Sequence, residues 1–175
     1  MKFTIPLVIS AVAGVLLLGC GGSPAALPEP PICPTVAPQP TAGAGQQGGT
    51  QRYFQTIASG QSRIETAGKA FIDRWPTRKF SRTAAFREDL AKSTDDAACF
   101  AQQLISIAPP NARFEEYDRA LDVVLAQFIA DMALGREAAR QRNVSKYRDW
   151  LKAVDELPGK LDLVDLTRPP ARPPQ

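Results

Sequence analysis

The chain of 175 residues contains no histidine. A Ser/His/Asp or Cys/His nucleophile system therefore cannot be assembled from it, and histidine-ligated zinc sites and the HExxH arrangement are excluded with it. Phosphate-cradling glycine loops are missing as well. Gly68-Lys69 and Gly159-Lys160 both lack a glycine five residues before the Gly-Lys pair, and no GxSxG occurs. Sustained apolar/polar alternation is also missing, apart from a few residues in 161–166, so strands are not expected. Catalysis would be left to paired carboxylates or a lysine, and no motif joins them into a reaction. The expectation is a non-enzymatic protein with no cofactor and no metal. A net charge of +3 makes no whole-protein case for nucleic acid or a membrane surface, so any electrostatic role must come from how charge is distributed.

Three cysteines are present, and the first closes the most informative stretch of the chain, Leu17-Leu18-Gly19-Cys20. Lys2 precedes an apolar run over residues 5–18, shorter than the roughly 20 residues that cross a bilayer. Small Gly19 stands directly before the cysteine, as at a signal cleavage point. This stretch resembles the bacterial lipoprotein lipobox. The resemblance implies that residues 1–19 are a signal peptide and that Cys20 is acylated as the first mature residue. Membrane lipid is then a partner through Cys20, and the protein is anchored on an extracytoplasmic face. Gly21, rather than Asp, follows the cysteine, which in double-membrane bacteria argues against inner-membrane retention. A plain cleaved signal or a short uncleaved anchor is the alternative.

Residues 20–50 read as a tether. Seven prolines and six glycines fall in 21–50, with the prolines concentrated in the first part and a Gly/Ala/Gln-rich stretch over 41–50. After Thr50 a helical period begins. Tyr53, Ile57, Ile64, Ala67, Phe71 and Trp75 form one stripe, stopped by Pro76. A second helix, with Ser81 as its expected N-cap, carries Phe86, Leu90, Ala97, Phe100, Leu104 and Ile107 up to Pro109-Pro110. A third starts at about Asn111, carries Phe114, Tyr117, Leu121, Val124, Phe128 and Met132, and ends near Arg142. A fourth carries Tyr147, Trp150, Leu151, Val154 and Leu157, and Pro158-Gly159 is expected to close it. The fold class is all-α: an antiparallel up-down four-helix bundle over 51–158, followed by a Pro-rich C-terminal tail over 159–175. Residues 161–166 could pack along a groove, but a frayed end is the commoner outcome. This layout of lipobox, Pro-rich tether and helices resembles uncharacterised bacterial helical lipoproteins, a likeness that lends architecture and no activity.

Lipidation would consume Cys20 and leave Cys33 and Cys99. Cys99 lies about 200° round the helix from Ala97, on the face of Lys92, Asp96 and Gln103, away from the core stripe. An exposed thiol in an oxidising compartment tends to pair. The tether is long enough to fold back, so a Cys33–Cys99 disulfide is expected; free thiols or a bridge to another chain are the alternatives.

Charge is unevenly placed. An up-down bundle brings Arg74, Arg78, Lys79 and Arg82 of the first connection near Arg136, Arg140, Arg142, Lys146, Arg148 and Lys152 of the third. The opposite end is expected to hold Glu115, Glu116, Asp118, Asp122, Asp155 and Glu156. Helix C-termini favour cations, which accounts for Arg74, Arg140 and Arg142 but not for Arg82, Lys146 or Arg148 near helix N-termini. Arg78, Lys79, Arg82, Arg140, Arg142 and Lys146 are therefore the candidate anion- or partner-binding residues. Aromatic residues do not interleave with them, which argues against nucleic acid. Glu115, Asp118 and Asp122 fall within about 60° on one helix, and a solvated helix start explains them as well as a bound cation would. The expected function is binding of an envelope polymer or protein partner by a lipid-anchored bundle, with a small-ligand carrier as the alternative.

Overall fold

The computed structural model describes Cys33 and residues 46–170, and among them all regular structure is helical. Four helices follow one another: α1 (Gln46–Arg74), α2 (Ala84–Ile105), α3 (Glu115–Gln141) and α4 (Val144–Asp165). A single 3-10 turn, Ala112–Phe114, leads into α3. Helix α2 packs against α1 and α3, and α3 packs against α4, giving the expected four-helix bundle. No helix among the described residues is long and apolar enough to cross a membrane. Cys20, the signal segment and the tail beyond Pro170 lie outside the described residues.

Local chemistry sets the helix ends. The residue before a proline is pushed out of the α region, so α1 stops just before Trp75-Pro76. The N-cap of α2 is Thr83, whose Oγ1 accepts from the Phe86 N–H. Ser81, the expected cap, instead accepts from the Thr83 N–H at 3.3 Å and steadies the cap from outside. Asn111 caps the 3-10 turn through the Arg113 N–H, and Asn143 caps α4 by accepting from Ser145 and Lys146. Helix α1 also begins earlier than expected, taking residues 46–50 from the presumed tether.

The largest departure is α4, which continues through Pro158 to Asp165. An interior proline removes one backbone hydrogen bond and crowds the carbonyl four residues earlier, at a cost of about 3 kcal/mol. Burial of Leu161 and Val164 beyond it offsets that cost at roughly 1.5–3 kcal/mol for each fully buried side chain. The bundle therefore ends at Asp165 rather than at 158, and residues 159–165 belong to it, not to the tail. Residues 166–170 then lie against the bundle end instead of fraying: the Arg168 guanidinium sits 3.6 Å over the Phe54 ring, and Arg113 donates to the Pro170 carbonyl.

An aromatic cluster fills the end carrying the α1–α2 and α3–α4 connections. Phe86 is fully buried there, with Phe71, Trp75, Phe80 and Tyr147 all between 5.2 and 5.5 Å from its ring centre. Edge-to-face pairs of this kind add about 0.5–1.5 kcal/mol each beyond area burial. Gly135 permits the close approach behind them: a Cβ there would fall 2.4 Å from Thr94 Cγ2 and 2.7 Å from Trp150 Cδ1. The Trp150 indole N–H donates to the Met132 sulfur at 3.4 Å, so the buried ring is polar-satisfied.

Candidate functional site

The connections at this end meet, as an up-down bundle requires. The Phe80 ring lies 5.5 Å from the Tyr147 ring, and Arg78 pairs with Asp155. Between them is a cleft of about 290 Å³ lined by Arg78, Lys79, Phe80, Val144, Tyr147 and Arg148. Arg78 takes a left-handed backbone conformation (φ 51°), and its N–H donates to the Trp75 carbonyl at 3.0 Å. That turn follows α1 and places two consecutive cations, Arg78 and Lys79, on the cleft lining.

The six candidate cations divide by their partners. Arg78 is held by Asp155, and half-buried Lys146 is held by Glu137. The Lys146 hydrogen bond and charge keep the Glu137 carboxyl below its usual range. Lys79, Arg82, Arg140 and Arg142 are exposed and make no ion pair with other described residues. Only Arg78 and Lys79 of the six line the cleft, and Arg148 joins them from α4. Outside the six, Arg74 pairs with Asp89 and Arg136 with Asp95, so part of the expected basic pole is internally neutralised.

Tyr147 is the residue that sequence periodicity reads only in part. The stripe places it in the core, and it is 1 % exposed. Yet its hydroxyl has no hydrogen-bond partner among the described residues, while the side chain lines the cationic cleft. Periodicity reports which face of a helix is buried; it does not report whether the polar tip of a buried ring finds a partner. Burial pushes the phenol up to about 12, opposed by the positive charge of Arg78, so at neutral pH it is an O–H donor.

The other end has a different chemistry. Tyr53 donates to Asp118 at 2.6 Å, and Tyr117 donates to Asp165 at 3.2 Å. Asp122 is pushed up to about 6, first by burial and then by the neighbouring Asp118 charge. Asp118 is thus engaged by a phenol, and no group of three or more metal-binding side chains occurs among the described residues. Asp155 and Glu156 are not at this end as expected. Because α4 runs on to Asp165, they lie mid-helix, Asp155 bound to Arg78 and Glu156 between Lys152 and Lys160.

Cys33 and Cys99 are joined by a disulfide with a Cα–Cα distance of 5.2 Å. The bridge fastens Cys33 to α2 six residues from that helix's last residue, and Cys99 is buried there, not exposed as its position round the helix suggested. A groove of about 420 Å³ between α1 and α2 lies open to solvent, lined by Phe71 and Phe100 together with Arg63, Asp89, Lys92 and Asp96. It is a surface feature with a partly ionic lining, not the internal apolar cavity a carrier within the bundle would use.

No protein-family model matches the chain, and neither the curated proteins nor the solved structures contain a significant match.

Proposed function

We propose that this is a membrane-anchored, extracytoplasmic helical lipoprotein that acts without catalysis, binding an anionic envelope polymer or protein partner through the end of the bundle carrying Arg78, Lys79 and Arg148. The observation that carries this reading is the gathering of exposed cations from two connections at one end, with Lys79, Arg82, Arg140, Arg142 and Arg148 making no ion pair there. Helix dipoles explain cations after helix C-termini, but not Arg148 within the first two turns of α4. The disulfide supports the orientation. Acylated Cys20 would be separated from the bundle's attachment point by only the residues up to Cys33, and that point lies nearer the Tyr53/Asp118 end. The cationic end then faces away from the membrane.

Two measurements test the proposal. Labelled fatty acid should enter the wild-type protein and not Cys20→Ser, which should leave the membrane fraction. Soluble anionic polymer should retain the protein in a salt-sensitive manner, and neutralising Lys79, Arg140, Arg142 and Arg148 together should abolish retention. Retention unchanged by those substitutions would remove the basis of the reading.

A further inference from the structure

The geometry points to the cleft between the α1–α2 connection and the start of α4 as a binding site for a phosphate ester, with Tyr147, Lys79, Arg148 and Arg78 as its ligand contacts. It rests on the anion-binding reading above and names the chemical group that this end would take.

Two unmet requirements meet in this cleft. The Tyr147 side chain is 1 % exposed and its hydroxyl lacks a partner among the described residues. An unmade buried hydrogen bond of this kind is destabilising, and few are left in folded proteins. Lys79 and Arg148, lining the same cleft, have no carboxylate among the described residues. The buried phenol lacks an acceptor and the cations lack an anion. An oxyanion that enters past the cleft lining to the hydroxyl would meet both.

The shape and chemistry narrow the oxyanion. Donors arrive from two separate backbone stretches, 78–79 and 147–148, so they approach from different directions. A planar carboxylate offers two oxygens; a tetrahedral phosphate ester offers three and up to two charges, which suits this spread of donors. The first turn of α4 adds the positive end of a helix dipole beside Val144. Phe80 and Val144 supply an apolar wall where the carbon of an ester would lie. About 290 Å³ admits a small ester group and not a large ligand. The phenol remains protonated throughout the neutral range, so it acts as a donor to the anion and not as a competing charge.

The test uses the disulfide-intact protein and glycerol 3-phosphate as the probe, followed by calorimetry and by the fluorescence of Trp75→Phe, whose one remaining tryptophan, Trp150, stacks on Tyr147 at 5.6 Å. The wild type is expected to bind the probe, and acetate more weakly. Tyr147→Phe removes only the unpartnered oxygen, so it should melt at the same or a higher temperature without ligand, yet bind the probe about tenfold more weakly or worse. Lys79→Gln/Arg148→Gln, altering two exposed side chains, should reduce binding further. Competition by inorganic phosphate would identify free phosphate as a source, and sedimentation with phosphatidylglycerol vesicles would identify a lipid headgroup; both support the cleft. Absence of probe binding to the wild type, equal binding by Tyr147→Phe, or equal affinity for acetate would each overturn the assignment. Polymer retention that persists in Tyr147→Phe and Lys79→Gln/Arg148→Gln would overturn the cleft while leaving the broader anionic surface standing. Probe binding without polymer retention would do the reverse.

Discussion

Arg78 reaches from the connection at one end of the bundle to Asp155 in the middle of α4, its Nη1 donating to both carboxylate oxygens at 2.9 Å. Both side chains are about half exposed, so the pair contributes no more than about 1 kcal/mol. Its importance is positional. It draws a left-handed turn against α4 and leaves the neighbouring Lys79 directed to the cleft without a carboxylate of its own. Beyond Asp155, α4 continues through Pro158 to Asp165.

That continuation gives a direct test. Pro158 is exposed, so Pro158→Ala removes no buried contact and restores the missing backbone donor to the helix. It is expected to stabilise the protein by about 1–3 kcal/mol, seen as a higher urea midpoint at an unchanged slope. A helix that ended at residue 158 would show little change, and Leu161→Ala and Val164→Ala would then be harmless. In the structure both are buried, and each is expected to cost about 1–3 kcal/mol.

The disulfide should contribute strongly. It closes a loop across 66 positions of sequence, for which loop entropy gives about 4 kcal/mol. Cys33→Ser/Cys99→Ser should lower the thermal midpoint and broaden protease access to the start of α1, while leaving helix content nearly unchanged. Non-reducing peptide mapping of the purified protein should recover one peptide containing both cysteines. Recovery of Cys99 as a free thiol would contradict the bridge.

The helical faces were legible because amphipathic period is a property of side chains alone: Tyr53, Ile57, Ile64 and Phe71 are all buried on the stripe the spacing defines. The end of α4 was not legible, because Pro158 is a strong local stop and only the tertiary burial of Leu161 and Val164 overrides it. The same misreading displaced Asp155 and Glu156 to the wrong end. In the cationic region, Arg78 and Lys79 were visible as charges near a turn. Tyr147 was visible only as an apolar ring, since no spacing rule shows that its hydroxyl lacks a partner.

Acid titration should expose Asp122. Its carboxyl is raised from 3.8 to about 6 by burial and by Asp118, so the folded protein holds a proton that the unfolded chain releases. Stability therefore falls as pH rises from about 4 to about 6 and stays lower above that window. Asp122→Asn removes this slope and should stabilise the protein at pH 7 by on the order of 1 kcal/mol after solvent screening is allowed for. Denaturation midpoints of the two proteins should converge near pH 4. A constant difference across the range would show that Asp122 is not the titrating group.

Arg142 tests the other left-handed arginine. It caps α3 at φ 54°, with its N–H donating to the Ala138 carbonyl, a position that glycine usually fills. A left-handed conformation costs an L-residue roughly 1–2 kcal/mol, and glycine escapes this at some expense in unfolded-chain entropy. Arg142→Gly should therefore raise stability by about 0.5–1 kcal/mol, a few degrees in thermal midpoint for a domain of this size. Arg142→Ala retains the strained backbone and should gain nothing. If the arginine is kept for its exposed charge, Arg142→Gly should be the more stable protein and the weaker binder of anionic polymer. A glycine variant both less stable and equally retained by polymer would mean that the guanidinium serves the fold rather than the surface.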